Sequence, residues 1–119
     1  MNNSEILVAV ASKDGRLINQ HFGHAERFLI YKVDAGKTEF LEERKVNRYC
    51  QEDDEYEHPY EEDRFMSVAN NIKDCRFVLI SMIGTIPEKK LKEMGITPVI
   101  CAYGIEEGIE KIIKNEIKY

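Results

Sequence analysis

The sequence predicts an α/β fold: a mixed five-stranded sheet in the order 3-2-1-4-5, with only the second strand antiparallel and helices on both faces. Three observations carry this. Ile6-Leu7-Val8-Ala9-Val10-Ala11 is a continuous apolar run ending in Ser12-Lys13-Asp14-Gly15, the pattern of a strand covered on both faces and closed by a turn. The elements follow the order βββαβαβα, and the last two crossovers are long enough to hold helices. Such crossovers make strands one, four and five parallel with right-handed connections, whereas a tight turn makes strand two antiparallel to strand three.

Taken in order, Phe28-Leu29-Ile30-Tyr31-Lys32-Val33 is the second strand, and Asp34-Ala35-Gly36-Lys37 turns the chain into a third, about Thr38 to Val46. Glu39, Glu42, Glu43, Arg44 and Lys45 on that third strand suit an edge, where charge discourages foreign pairing. Phe65, Val68, Ala69 and Ile72 recur at helical spacing and predict a helix from about Asp63 to Lys73. Phe77-Val78-Leu79-Ile80-Ser81 is the fourth strand. Thr85-Ile86-Pro87-Glu88 has a capping-box pattern that starts the second helix, and Gly95 ends it. Pro98-Val99-Ile100-Cys101 is a short fifth strand, and Ile105, Ile109, Ile112 and Ile113 give the stripe of a last helix ending in Lys111, Lys114 and Lys118.

At 119 residues the chain is a single domain, residues 1–119. No apolar run reaches the roughly 20 residues that cross a bilayer, and the start carries no secretory pattern, so the expectation is a cytoplasmic protein without a membrane partner. Three cysteines, Cys50, Cys75 and Cys101, make no disulfide framework. The net charge of -5 is unevenly placed. Eight acidic residues and no basic one lie between Gln51 and Asp63, leaving a body with 17 basic against 14 acidic residues. The overall charge argues against a nucleic-acid partner, and the acidic run reads as a solvated, mobile loop.

The topology sorts the loops. Residues 12 to 26, 47 to 63, 81 to 86 and 101 to 104 converge on the sheet edge where open α/β folds place ligands, and Cys75 falls at the opposite edge. His21, His24, Cys50, His58 and Cys101 therefore share one rim. Imidazole and thiolate together suit zinc, copper or iron-sulfur species better than magnesium or calcium. His21-Phe22-Gly23-His24 is an HxxH pair with no CxxC companion, which does not make a closed zinc site. Each candidate also has a plainer role. His21 can pin its loop through hydrogen bonds, His24 can cap or solvate the start of the second strand, and Cys75 and Cys101 can be small core residues. Cys50 divides evenly between ligand and bystander. The first strand offers no carboxylates for a two-metal nuclease, and the chain has no phosphate-binding glycine loop and no nucleophile elbow. A binding or carrier role outranks catalysis, so the expectation is that the protein is not an enzyme.

Val8-Ala9-Val10-Ala11-Ser12-Lys13-Asp14-Gly15, Asn19-Gln20-His21-Phe22-Gly23-His24-Ala25-Glu26-Arg27-Phe28, Asp74-Cys75-Arg76-Phe77-Val78-Leu79, Ile83-Gly84 and Gly95-Ile96 resemble the dinitrogenase iron-molybdenum cofactor biosynthesis family, that of NifX, NafY and the C-terminal part of NifB. The resemblance covers nearly the whole chain, and His-Phe-Gly is its most specific element. It implies a ribonuclease-H-like three-layer α/β/α fold and a non-catalytic carrier for an iron-sulfur cluster, either the iron-molybdenum cofactor or its precursor. It implies a place in nitrogenase cofactor biosynthesis and nitrogen fixation, with cluster-assembly or acceptor proteins as partners. The histidine matching His21 is implicated in binding. The expected cluster contacts are His21, Phe22, Gly23, Ser81 and Gly84, with His21, Cys50 and His24 as metal ligands and Lys13, Arg16 and Arg27 adding positive charge. Arg48-Tyr49-Cys50 is closer to the NifB tail than to NifX, yet Gln51-Glu52-Asp53-Asp54-Glu55 stands where NifB-type domains tend to carry a second cysteine. The competing reading is a metal-free interaction or regulatory module on the same fold.

Overall fold

The computed structural model describes residues 5–34, 37–46, 62–101 and 104–112. The expected acidic loop, with Cys50 and His58, lies outside the described residues up to residue 61, whereas its last two members, Glu62 and Asp63, open the first α-helix and are not loop. Five strands, β1 (Ile6–Val10), β2 (Arg27–Asp34), β3 (Lys37–Lys45), β4 (Phe77–Ile80) and β5 (Thr97–Ile100), and three α-helices, α1 (Glu62–Ala69), α2 (Thr85–Glu93) and α3 (Ile105–Lys111), follow in the order βββαβαβα. They form one sheet in the order β3-β2-β1-β4-β5. β2 is antiparallel to both its neighbours, and the β1–β4 and β4–β5 pairs are parallel, as the connection lengths require. None of the described helices is long and apolar enough to cross a membrane.

Strand alternation divides the core between the two faces. Ala9, Phe28, Ile30, Val78 and Ile80 pack with Phe65, Val68 and Ala69 of α1, Ile72 of the 3-10 turn that follows it, and Leu91 of α2. Val8, Val10, Leu29, Val33, Phe77 and Leu79 pack with Ile105, Ile109 and Ile112 at α3. The result is three layers with β1 at the centre, Val8 to Val10 being inaccessible to solvent on both faces.

Two details differ from the sequence reading. The helix predicted from Asp63 to Lys73 is α-helical only to Ala69 and tightens into a 3-10 turn over Asn70–Ile72, the usual way a helix end takes up its last carbonyls. Thr85 is not the cap of α2. Gly84 holds the extended N-cap conformation, with no side-chain cap bond, and Pro87 sits in the first turn.

The far end of α2 is closed as Gly95 predicts. With φ at +86°, Gly95 donates its amide to the Lys92 carbonyl at 3.1 Å, and Ile96 donates to Leu91 at 2.9 Å. Together these form a Schellman motif, and the fully buried Leu91 and Ile96 supply its hydrophobic contact.

β3 is exposed along nearly its whole length, and a bulge shifts its register where β2 passes from Ile30 to Tyr31, so that Ile30 faces Glu42 and Tyr31 faces Phe40. Arg44 fastens this edge to the turn before β4. Its guanidinium donates to both carboxylate oxygens of Asp74, at 2.7 and 3.0 Å, and to the Asn71 carbonyl at 2.7 Å. These bonds hold the Asp74 carboxyl below the usual carboxylate range. Next to it, burial pushes the Cys75 thiol up to about 12, with the Asp74 charge adding to the effect.

Three outcomes are expected. Gly95→Ala, which places a Cβ in the left-handed region, should lower unfolding free energy by about 1–2 kcal/mol with an unchanged m-value in urea. Asp74 is the folded-state-depressed carboxyl, so the Arg44–Asp74 contribution is present above about pH 4 and lost on further acidification. Asp74→Asn should therefore cost up to about 1 kcal/mol at pH 7 and much less at pH 3 in parallel urea titrations, the pair being partly solvated. Cys75 should alkylate at pH 8 on the order of 1000-fold more slowly than a free thiol, as read by mass spectrometry over time.

Candidate functional site

The loop leaving β1 is built on local hydrogen bonds. The buried Ser12 hydroxyl accepts the Gly15 amide at 2.9 Å, and Gly15 takes φ +78° to make the turn. Asp14 accepts the amides of Leu17 at 3.0 Å and Arg16 at 2.9 Å, which keep its carboxyl below the ordinary range. Asn19 accepts the Lys13 amide at 2.8 Å, and Arg27 donates to the Lys13 carbonyl at 2.6 Å. Each side chain replaces a backbone partner that the loop cannot supply, so the loop is ordered without being part of the sheet.

Two further ties bring the described rim loops together. Leu17 bridges Gly104, and Ile105 at the head of α3 donates to the Arg16 carbonyl at 2.9 Å. On the other side, Ser81 donates to the Gln20 carbonyl at 3.0 Å and Phe22 donates to the Met82 carbonyl at 2.8 Å, making a parallel bridge between His21 and Met82. This bridge prolongs the β1–β4 crevice beyond the strand ends. Connections leave that crevice in opposite directions, toward β2 and toward β5, the switch point at which open α/β sheets bind ligands.

Alternation across this short extended segment separates its side chains. Phe22 is 1% exposed and packs against Phe28 and Phe65, with ring centroids 6.0 and 5.9 Å away. Its neighbour His21 is exposed. A buried aromatic thus roots an exposed imidazole at the mouth of the crevice. Phe22–His24 form one 3-10 turn, so Gly23 and His24 follow at the same place in the backbone; the His24 side chain lies outside the described ones. Met82, 55% exposed, stands at the position paired with His21, and paired residues of parallel strands project to the same side. Imidazole and thioether are both donors for soft or borderline metals.

Ser81 and Gly84 flank Met82 and Ile83, and Gly84 leads directly into α2. The first amides of that helix, Thr85 and Ile86, have no intrahelical acceptor by position and give the rim donors for an anion. Pro87 has no amide to add. The structure therefore brings His21, Phe22, Gly23, Ser81 and Gly84 to one place. Among the described residues no group of three or more His, Cys, Asp and Glu side chains is arranged around a common metal position.

Cys101 takes the plainer of its two roles, that of a small core residue. Its position continues the Thr97–Val99 face of β5 toward α3, and its buried thiol lies within the core that holds Ile18, Leu79 and Ile109. A Cβ built on Gly108 would stand 3.5 Å from the Cys101 sulfur and 2.7 Å from Ile18, so α3 approaches too closely to leave a gap there. Cys101 is a core residue, not a rim ligand. Sequence reasoning also missed Met82 and Gln20, because nothing in their residue type marks one as projecting beside a histidine or the other as buried.

Comparison with known proteins agrees with this architecture. The FeMo cofactor biosynthesis protein NifB of Bradyrhizobium diazoefficiens is 40% identical over 100 residues, 83% of this chain and 19% of that protein. NifB of Herbaspirillum seropedicae is 41% identical over 95 residues, 79% of this chain and 17% of that protein. The chain thus spans about a fifth of the length of these curated relatives. The crystal structure of PH0822 shares the fold, with a TM-score of 0.68, 22% identity and 95% of each chain covered. The family model for dinitrogenase iron-molybdenum cofactor matches residues 4–115, and the chain belongs to that family.

Proposed function

We propose that this chain is a non-catalytic carrier for an iron-sulfur cluster of the nitrogenase-cofactor or precursor type, acting in cofactor biosynthesis. The observation that carries the reading is the exposed His21 imidazole, fixed at the switch-point crevice by its backbone bridge to Met82 and by the buried Phe22 beneath it. The similarity to NifB supports the choice of cargo. His21 is the principal ligand, with the Met82 thioether beside it and the amides of Met82 to Ile86 as donors to the cluster's anionic sulfides, the Ser81 amide being held by the Gln20 carbonyl. Cys50 and His24 are further ligands in this proposal. The fold then serves as a ribonuclease-H-like scaffold without that fold's nuclease chemistry, since β1 carries no carboxylate.

A single anchoring histidine suits a carrier. Few ligands leave much of the cluster open to the incoming ligands of an acceptor, so transfer can proceed by exchange. The partners are cluster-assembly or acceptor proteins of the cytoplasm, and the carrier itself makes and breaks no bond of a substrate.

Anaerobic reconstitution with iron and sulfide, followed by visible absorption, tests the proposal. The parent chain should become coloured. His21→Ala should lose most of the bound cluster while keeping its unfolding midpoint, because an exposed loop side chain contributes little burial. Cys50→Ser should give partial loss if the thiolate is a second ligand. A His21→Ala protein that binds cluster as the parent does would remove histidine ligation, and a colourless parent challenged with preformed cluster as well would favour the metal-free interaction module.

A further inference from the structure

Beside the rim a cleft of about 260 Å³ is lined by Lys13, Gln20, Glu26, Arg27, Glu43 and Lys45. We infer that this cleft is a binding site for a small oxoanion, a phosphate or a carboxylate, recognised by the Gln20 carboxamide together with the Lys13 and Lys45 ammonium groups.

Gln20 is the first reason. It is 8% exposed, one of two buried polar residues among those described, and its backbone carbonyl is taken by the Ser81 amide. The other, Ser12, has its hydroxyl bonded to Asp14 and Gly15. The Gln20 carboxamide makes no hydrogen bond among the described residues. A buried amide left without a partner loses its hydration and gains nothing in return, which is unusual unless another molecule supplies the bond. The bonds made by its carbonyl and by the Phe22 amide fix the Gln20 backbone beside the cleft that this residue lines.

Charge is the second reason. Arg27 is already engaged, donating to Glu43 at 3.2 Å and to the Lys13 carbonyl at 2.6 Å. With that pair neutralised, Lys13 and Lys45 form no ion pair among the described residues, whereas the one remaining carboxylate of the lining, Glu26, has an interaction of its own. The opening therefore presents two cations that pair with no carboxylate among the described residues and one neutral N–H donor, a set that answers an oxoanion and not a metal ion.

Size sets the class. At about 30 Å³ per water the cleft holds on the order of eight waters, enough for phosphate or a short dicarboxylate and too little for a nucleotide. The site lies on the Gln20 side of the segment, opposite in alternation to His21, and its test needs no cluster, so the cluster proposal and this one can fail separately.

The experiment is a nitrogen-15 NMR titration of the cluster-free chain with inorganic phosphate and, separately, with malonate, chloride holding ionic strength constant. At least one anion should move the Gln20 side-chain amide pair and the Lys13 and Arg27 backbone amides along one saturable curve; which anion does so identifies the source. Gln20→Leu, similar in volume, should raise the half-saturation concentration about fivefold or more and leave the unfolding midpoint unchanged or higher, because it removes a buried amide that has no partner among the described residues. The Lys13→Ala/Lys45→Ala double variant, confined to exposed positions, should weaken binding similarly and decides the matter if Gln20→Leu does not fold. Absence of a saturable shift with either anion overturns the inference. So does parent-like affinity in the double variant, or in a folded Gln20→Leu protein.

Discussion

The arrangement depends on β1. Among the described strands it is the one that joins the two halves of the sheet, pairing with the β2–β3 hairpin on one edge and with the β4–β5 unit on the other. It is also covered on both faces, with Ala9 and Ala11 turned to α1 and α2 and Val8 and Val10 to α3. A strand so placed can spend its backbone only on ladders and its side chains only on packing. Polar chemistry is therefore expelled from the sheet to the loop that follows, and the first residue beyond the apolar run is Ser12, whose hydroxyl organises the turn.

That loop gains its shape from the same constraint. Phe22 returns to the core as a third aromatic ring between Phe28 and Phe65, and the Gln20–Phe22 backbone takes up hydrogen bonds of the segment just after β4. Three successive residues are consequently fixed in alternation: Gln20 and Phe22 inward, His21 outward. The outward imidazole stands on a support that cannot shift without exposing an aromatic ring, which is how a binding group on a loop can be held as firmly as one on a strand. Leu17 and Arg16 secure the opposite end of the loop to the head of α3, so both helical layers take part in positioning the rim.

Much of this was legible in the sequence because it follows from connection length and parity. A two-residue turn admits only an antiparallel pair, helical crossovers admit only parallel ones, and the alternation of Phe77, Val78, Leu79 and Ile80 assigns each side chain a face. Gly95 was legible for a different reason, since one residue type supplies the left-handed turn. Parity also places Cys101 on the α3 face with Val99, but a thiol at a strand end satisfies the pattern of a ligand as well as that of a small core residue. The cap at Gly84 was not legible, because Thr85 has the better side chain and only the backbone angles show which residue stands outside the helix. The bulge in β3 was hidden for want of alternation, every position but Arg44 being exposed. Gln20 was hidden because its burial comes from a long-range bridge to β4's exit, not from any local pattern.

The distribution of sulfur and nitrogen bears on what kind of site the rim can be. Cys75 is at the edge remote from His21, buried and held as a thiol, and Cys101 belongs to the α3 layer. Two of the three cysteines are thus committed to packing, which leaves Cys50 as the one thiolate the proposed site can recruit. A structural cluster site would ordinarily be ringed by four thiolates that hold the metal permanently. Here the described donors are an imidazole, a thioether and backbone amides, all neutral when they bind, with basic side chains beyond them. Neutral ligands add no charge to an anionic cluster and are displaced readily by the thiolates of another protein. Under the carrier reading proposed above, a site poor in thiolate would pass its cargo toward one that is rich in it, and the rigidity of the His21 loop would serve orientation more than retention.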